Sequence, residues 1–109
     1  MPERFLGEFE QMVLMAVLQL EDAGRAIDVR QHLKERTGRR PSRGALYATL
    51  DRLERKGYLE WESEESGPAR GGIPRRCFRV TEAGRAELRR AWRALSNLAE
   101  GLDGVLDES

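Results

Sequence analysis

From Phe5 to Leu20 the apolar positions Phe5, Leu6, Phe9, Met12, Val13, Ala16, Val17 and Leu20 recur at three- and four-residue steps. That period predicts an amphipathic helix over 6–20. Leu14, Met15 and Leu18 widen its apolar surface beyond one stripe. A helix apolar on several sides is either central to its domain or also meets another chain. Glu21-Asp22-Ala23-Gly24 breaks the pattern. A second helix is predicted over 27–37, with Ile27, Arg30, Gln31 and Leu33 marking its period and Gly38 suited to its left-handed stop. The third begins after Pro41, which holds the approach extended, at Ser42, whose hydroxyl can accept from an orphan amide of the first turn. Leu46, Leu50 and Leu53 form its inner stripe, and Arg55, Lys56 and Gly57 suit its end.

The period then changes. Leu59 and Trp61 alternate with Glu60 and Glu62, the pattern of a half-buried strand. A second strand is expected at Arg75–Val80, with Phe78 and Val80 on the face opposite Cys77 and Arg79. The segment between them carries Gly67, Pro68, Gly71, Gly72 and Pro74, the composition of a loop at a hairpin tip. Thr81 can cap a last helix, and Glu82 favours its positive end. Leu88, Ala91, Leu95, Leu98, Leu102 and Val105 alternate threes and fours in a heptad-like seam. The expected helix has about 20–25 residues and spans ~30–37 Å at ~1.5 Å per residue. Gly101 and Gly104 weaken its final turns. Such a helix projects from a small domain, so its seam needs cover. A second copy of the chain is the simplest source, and folding back on the same domain is the alternative.

The chain has 109 residues, 39% of them hydrophobic and 35% charged, which suits one domain with a modest core. Its zero net charge hides an uneven distribution. Residues 25–57 carry a net +6, and residues 1–24 and 98–109 each carry −4. A basic middle between acidic ends suggests an anionic partner, against the alternative of a solvated basic surface. No apolar run reaches the length of a membrane span and no secretory pattern opens the chain, so a cytoplasmic protein with no membrane partner is expected. With one cysteine, Cys77, and one histidine, His32, neither an internal disulfide nor a metal cluster of usual spacing is available, and no cofactor is expected. Phosphate-loop glycines, a nucleophile setting and acids clustered beside a histidine are all lacking, which argues against an enzyme.

Two helices, a short Arg39-Arg40-Pro41 turn and a third helix with a small, basic outer face make a helix-turn-helix arrangement. A hairpin with a basic tip directly after it is the pattern of a wing. A major groove admits one helix, and a two-fold dimer presents two about one turn apart, ~34–36 Å. Gly44 and Ala48 lack bulk, so the backbone can sit low in the groove. Arg43 is the best candidate for a base contact, because a guanidinium matches guanine bidentately. Ser42 and Tyr47 suit phosphates. Arg40, Arg52 and the wing arginines Arg70, Arg75 and Arg76 supply backbone or minor-groove charge. Asp51 is expected to pair with Arg55 four residues on. For Tyr47 the alternative is packing against the first turn of the second helix.

The block Ser42-Arg43-Gly44-Ala45-Leu46-Tyr47-Ala48-Thr49-Leu50-Asp51-Arg52-Leu53-Glu54-Arg55-Lys56-Gly57, followed by an aromatic-hydrophobic strand and Arg75-Arg76-Cys77-Phe78-Arg79-Val80-Thr81-Glu82-Ala83-Gly84-Arg85, resembles the PadR family of transcriptional regulators. The opening Leu6-Gly7-Glu8-Phe9-Glu10-Gln11-Met12-Val13-Leu14 is similar to one subgroup. The motifs are specific jointly: small-x-Leu-Tyr-x-x-Leu in the third helix, and a strand running into Thr-Glu-x-Gly. The resemblance implies an α+β, mainly α fold. Residues 1–80 would form a winged helix-turn-helix domain, and residues 81–109 a C-terminal dimerisation helix with a frayed acidic tail, as in the family's single-helix branch. It further implies a two-fold homodimer on a palindromic operator and, in most members, repression. Some members release DNA on binding a small molecule. By the same likeness the first helix packs with the partner's last, placing Phe5, Leu6, Phe9, Val13, Leu88, Ala91, Trp92, Leu95, Leu98 and Leu102 at the dimer interface. Trp92 is either dimer core or, as in some relatives, the lining of an inter-subunit cavity for a flat apolar effector. Two departures are visible: Cys77-Phe78 stands where relatives often have an aromatic pair, and Gly24-Arg25-Ala26 replaces a frequent Tyr-Gly. Two other readings remain open at this level, a winged helix used for protein–protein contact and a regulator that senses thiol oxidation through Cys77.

Overall fold

The computed structural model describes residues 5–64 and 75–107, the side chains of Glu64 and Arg75 excepted. In chain order the elements are α1 (Glu8–Gln19), α2 (Ala26–Thr37), α3 (Arg43–Arg55), β1 (Leu59–Glu64), β2 (Arg75–Val80), α4 (Glu82–Ala99) and α5 (Asp103–Leu106). The α1 helix is central, touching α2, α3, α4 and β2. Val13, Leu14, Ala16 and Val17 are buried on it, and Phe9, Met12, Met15 and Leu18 pack around them. Much of its broad apolar surface is therefore absorbed by its own domain. It begins two residues later than the periodicity suggested, because the Glu10 side chain turns back to accept the Gly7 N–H at 2.9 Å. That closes the first turn ahead of Glu8 and leaves Leu6 outside the helix, though buried.

The break after α1 is a built turn. Glu21 and Asp22 both take left-handed backbone conformations, φ 60° and 56°, which cost non-glycine residues about 1–2 kcal/mol each. Interactions made by the Asp22 carboxylate offset that cost. One oxygen accepts the Val80 N–H at 3.0 Å and the other the Arg85 guanidinium at 2.9 Å. Two residues on, the Phe78 N–H donates to the Gly24 carbonyl at 2.9 Å, so Gly24 joins the edge of the hairpin.

The α2 helix buries Val29 and Leu33, and Gly38 ends it at φ 78°. Ile27, expected within its apolar period, is instead 64% exposed. A spacing of four separates Val29 from Leu33, whereas Ile27 lies about 200° round the helix from Val29 at 100° per residue. In α3, Leu46, Leu50 and Leu53 are buried as their spacing predicts, and the Ser42 hydroxyl accepts the Ala45 N–H at 3.1 Å. β1 and β2 pair antiparallel, with Leu59 opposite Val80 and Trp61 opposite Phe78. Leu59, Phe78 and Val80 are buried, but Trp61 is 38% exposed, beyond the edge of the core. Thr81 secures the hairpin to α4. Its hydroxyl accepts the Gly84 N–H at 3.0 Å and donates to the Gly57 carbonyl at 2.6 Å.

The last helix is shorter than its seam suggested. α4 has 18 residues, about 27 Å at ~1.5 Å per residue, and the chain breaks at Glu100 and Gly101, the latter at φ 88°. Val105 and Leu106 then belong to α5, a single turn. Among the described residues no helix is long and apolar enough to cross a membrane.

Candidate nucleic-acid interface

The turn between α2 and α3 is held from both sides. The Thr37 hydroxyl donates to the Leu33 carbonyl at 2.7 Å and accepts the Arg39 N–H at 3.1 Å. The Arg30 guanidinium donates to the Pro41 carbonyl at 2.8 Å. The turn presents Arg40, Ser42 and Arg43, all exposed, at the start of α3. Neither the Arg40 nor the Arg43 side chain makes a hydrogen bond or ion pair with another described residue. Gly44, Tyr47 and Ala48 continue the exposed face. A Cβ built on Gly44 meets nothing within 4 Å, so the chain's own packing does not demand glycine there. Tyr47 is 43% exposed and lines one cleft together with the first turn of α2.

Further along α3 the structure reassigns several charges. Arg52 and Lys56 both donate to the carboxylate of Glu10 on α1, at 3.1 and 2.8 Å. Arg52 also reaches the Thr49 hydroxyl at 3.2 Å. Its guanidinium is thus engaged within the chain while its side chain stays 46% exposed. Burial pushes the Glu10 carboxyl up, but the hydrogen bonds from Lys56, the Gly7 N–H and Arg52 outweigh it and hold the group below its ordinary value. The expected Asp51–Arg55 side-chain pair does not form. The Arg55 guanidinium points to the Asp51 carbonyl at 3.5 Å, and the Asp51 carboxylate lies 4.0 Å from Arg76 on β2. A hairpin cation is nearer to the Asp51 carboxylate than Arg55 is. The Arg76 guanidinium also lies 5.3 Å from the Trp61 ring centre and 5.6 Å from that of Phe78, both cation–π distances. Trp61 in turn donates its indole N–H to Glu54 of α3 at 2.6 Å. The hairpin root is therefore tied to α3 through Asp51 and Glu54. Arg70 lies outside the described residues, as does the side chain of Arg75.

Sequence reasoning missed Glu10, Lys56 and the Glu54–Trp61 bond. Glu10 sits in the first turn of α1 between Phe9 and the apolar run Met12–Leu14, and a buried acid there calls for a partner. Its partners lie more than 40 positions away, so spacing cannot identify them. Cys77 is half-buried, with its thiol 3.5 Å from the Ala23 carbonyl. Among the described residues no group of three potential metal ligands converges.

The seam of α4 divides. Leu88 and Ala91 are buried in the chain's own core, as are Leu6 and Val13, and Phe9 is partly buried against it. These positions are already covered within one chain. Phe5, Trp92, Leu95, Leu98 and Leu102 are exposed at 52%, 58%, 52%, 77% and 45%. Phe5 lies under the Arg90 guanidinium, 4.5 Å from the ring centre. Of the residues the resemblance assigns to a dimer interface, these five are the ones left uncovered by the chain itself.

Residues 14–90 match the family model described as the transcriptional regulator PadR-like family. The chain belongs to that family. It is 45% identical over 69 residues to the transcriptional regulator Rv3488 of Mycobacterium tuberculosis, a stretch covering 63% of this chain and 61% of that protein. The chain thus spans about three-fifths of that relative's length. Among solved structures, a PadR-like transcription factor from Bacteroides fragilis superposes with a TM-score of 0.69 at 26% identity, over 86% of this chain and 87% of the other. A PadR-like regulator from Bacillus cereus gives 0.72 at 17% identity, covering 93% of each chain. The winged-helix DNA-binding protein F93 from STIV gives 0.70 at 16% identity, over 90% of this chain and 98% of that one, a likeness of fold. The fold of this PadR-like regulator is a winged helix, and family and relative alike are named as regulators rather than enzymes.

Proposed function

We propose that this PadR-like regulator binds a palindromic operator as a homodimer and represses transcription. The observation that carries the reading is the exposed face at the start of α3. Arg40 and Arg43 are unpaired within the described chain, and Gly44 and Ala48 leave the backbone low beside them. In this reading α3 enters the major groove, Arg43 reads a guanine and Arg40, Ser42 and Tyr47 hold phosphates. In the same reading Arg70 and Arg75, on either side of the hairpin tip in sequence, contribute backbone charge, and Asp51 and Glu54 hold the hairpin to α3. The exposed seam of Trp92, Leu95, Leu98 and Leu102, with Phe5, meets its counterpart in a second copy. Trp92 at 58% exposure is available either to that contact or to an effector held between the two chains.

A mobility shift on the DNA upstream of the protein's own coding region tests the reading. Arg43→Ala is expected to cost about 1–3 kcal/mol of binding and to relax specificity at one base pair per half-site. An affinity and footprint untouched by this substitution would remove Arg43 from the interface.

A further inference from the structure

A cleft of about 420 Å3 opens where the first turn of α2, the N-terminal half of α3 and β2 converge. Its volume lies within the roughly 300–1,000 Å3 typical of small-molecule sites. Arg25, Arg30, Arg43 and Arg76 line it. Three of these are engaged inside the chain: Arg25 with Asp28 at 3.2 Å, Arg30 with the Pro41 carbonyl, and Arg76 with Asp51 and two ring faces. Arg43 has no such partner among the described residues. Its guanidinium fork is therefore open to a ligand, beside a wall whose exposed apolar part is Ile27 and Tyr47. Ile27 is 64% exposed and contributes little to the core. Covering it with an apolar body would recover hydrophobic free energy that the fold leaves in water.

We propose that this cleft binds a small aromatic organic monoanion, a carboxylate or sulfonate on two or three aromatic rings, and that its occupancy excludes operator DNA. The acid group pairs with the Arg43 fork, which suits a planar or bidentate oxyanion. The rings lie against Ile27 and the Tyr47 ring. A single open guanidinium fork favours one acid group over several. The exclusion rests on the DNA-binding reading above, because it follows from Arg43 and Tyr47 serving both partners. Two ligands that need the same side chains each weaken the other by the same factor. The site lies within one chain and is separate from the α4 seam.

The probe is 1-anilinonaphthalene-8-sulfonate, titrated into the full-length protein by fluorescence. Saturable binding is expected, weakened tenfold or more by Ile27→Glu and little changed by Leu98→Glu, which makes the seam polar. Ile27 is exposed, so the variant should keep the wild-type circular dichroism and melting temperature; Ile27→Ser supplies the same test if it does not. N-phenyl-1-naphthylamine, the same rings without the sulfonate, should bind at least tenfold more weakly. Affinity unaffected by both Ile27 substitutions, or abolished by Leu98→Glu, would move the probe to the seam and overturn the site. Equal affinity for the neutral amine would overturn the anion class. The sulfonate should also displace labelled operator at concentrations that fill the cleft, and binding without displacement would overturn the exclusion. Failure of the protein alone to shift DNA would count against the DNA-binding reading, while the titrations would still decide the site.

Discussion

At the scale of the residue, Gly84 shows what a family-like motif is for. A Cβ built there would collide with the Tyr58 carbonyl oxygen and lie 2.9 Å from a methyl of Val80. The glycine lets α4 start against the backbone that leaves α3, with the Thr81 hydroxyl joining the two. Gly84→Ala is expected to destabilise the fold by about 1–3 kcal/mol despite alanine's better helix propensity, measured by thermal melting. Glu10 is the second sensitive residue. Its carboxyl titrates lower in the fold than in the unfolded chain, so its stabilisation is present above the ordinary glutamate range and lost as pH falls through the depressed folded value. Arg52 and Lys56 are each nearly half exposed, which keeps the loss for Glu10→Gln at neutral pH to about 1–2 kcal/mol. The gap between the wild-type and Glu10→Gln melting temperatures should close as pH drops below the ordinary glutamate pKa of about 4.5. A gap that persisted in acid would mean that packing, not charge, holds α1 to α3. The cap at Ser42 and the stripe Leu46, Leu50 and Leu53 were legible because they are local periodicities. Glu10 with Lys56 was not, because a pair so distant in sequence depends on how two helices cross.

At the scale of the element, the hairpin and α3 behave as one body. Trp61 reads in sequence as a core residue alternating with acids, and in the fold it is a bracket to Glu54, half in water. Ile27 misleads in the opposite way, since an apolar residue in a helical window was counted toward the core and lies outside it. Both sit at the boundary of a small core, where alternation and helical period say which face a residue takes but not where the core ends. The arginines of the hairpin therefore differ in role. Arg75→Ala is expected to weaken binding evenly across DNA sequences and to reduce the salt slope by about 1. Arg76→Ala should also lower the melting temperature, since it removes two ring contacts worth about 0.5–1 kcal/mol each and leaves Asp51 without that cation. Titrations of each variant at several salt concentrations, beside melting curves, separate the two effects. An unchanged salt slope for Arg75→Ala would place the wing off the DNA.

At the scale of the whole molecule, the basic middle and acidic ends of the sequence map onto a helix-turn-helix followed by a projecting helix. Exposed apolar residues along α4 and at Phe5 form a surface larger than scattered single side chains explain. Leu98→Glu is expected to convert the proposed dimer to monomers by light scattering and to lower operator affinity by the loss of the second half-site. An unchanged mass would place the contact elsewhere. The break at Gly101 could be anticipated only as a weakness, because two glycines lower helix stability without fixing where the chain turns. The Thr81–Gly57 bond has a further consequence for how such a molecule can diverge. It joins residues 24 apart in sequence, below the hairpin, and seals the path from α3 to α4 independently of the tip. Doubling the length of a flexible loop costs only about 0.6 kcal/mol of closure entropy. Insertions between the strands can therefore accumulate with little penalty while the recognition helix and the projecting helix keep their mutual geometry. In the DNA-binding reading, the segment between the strands is where new target preferences can be tried without refolding the rest.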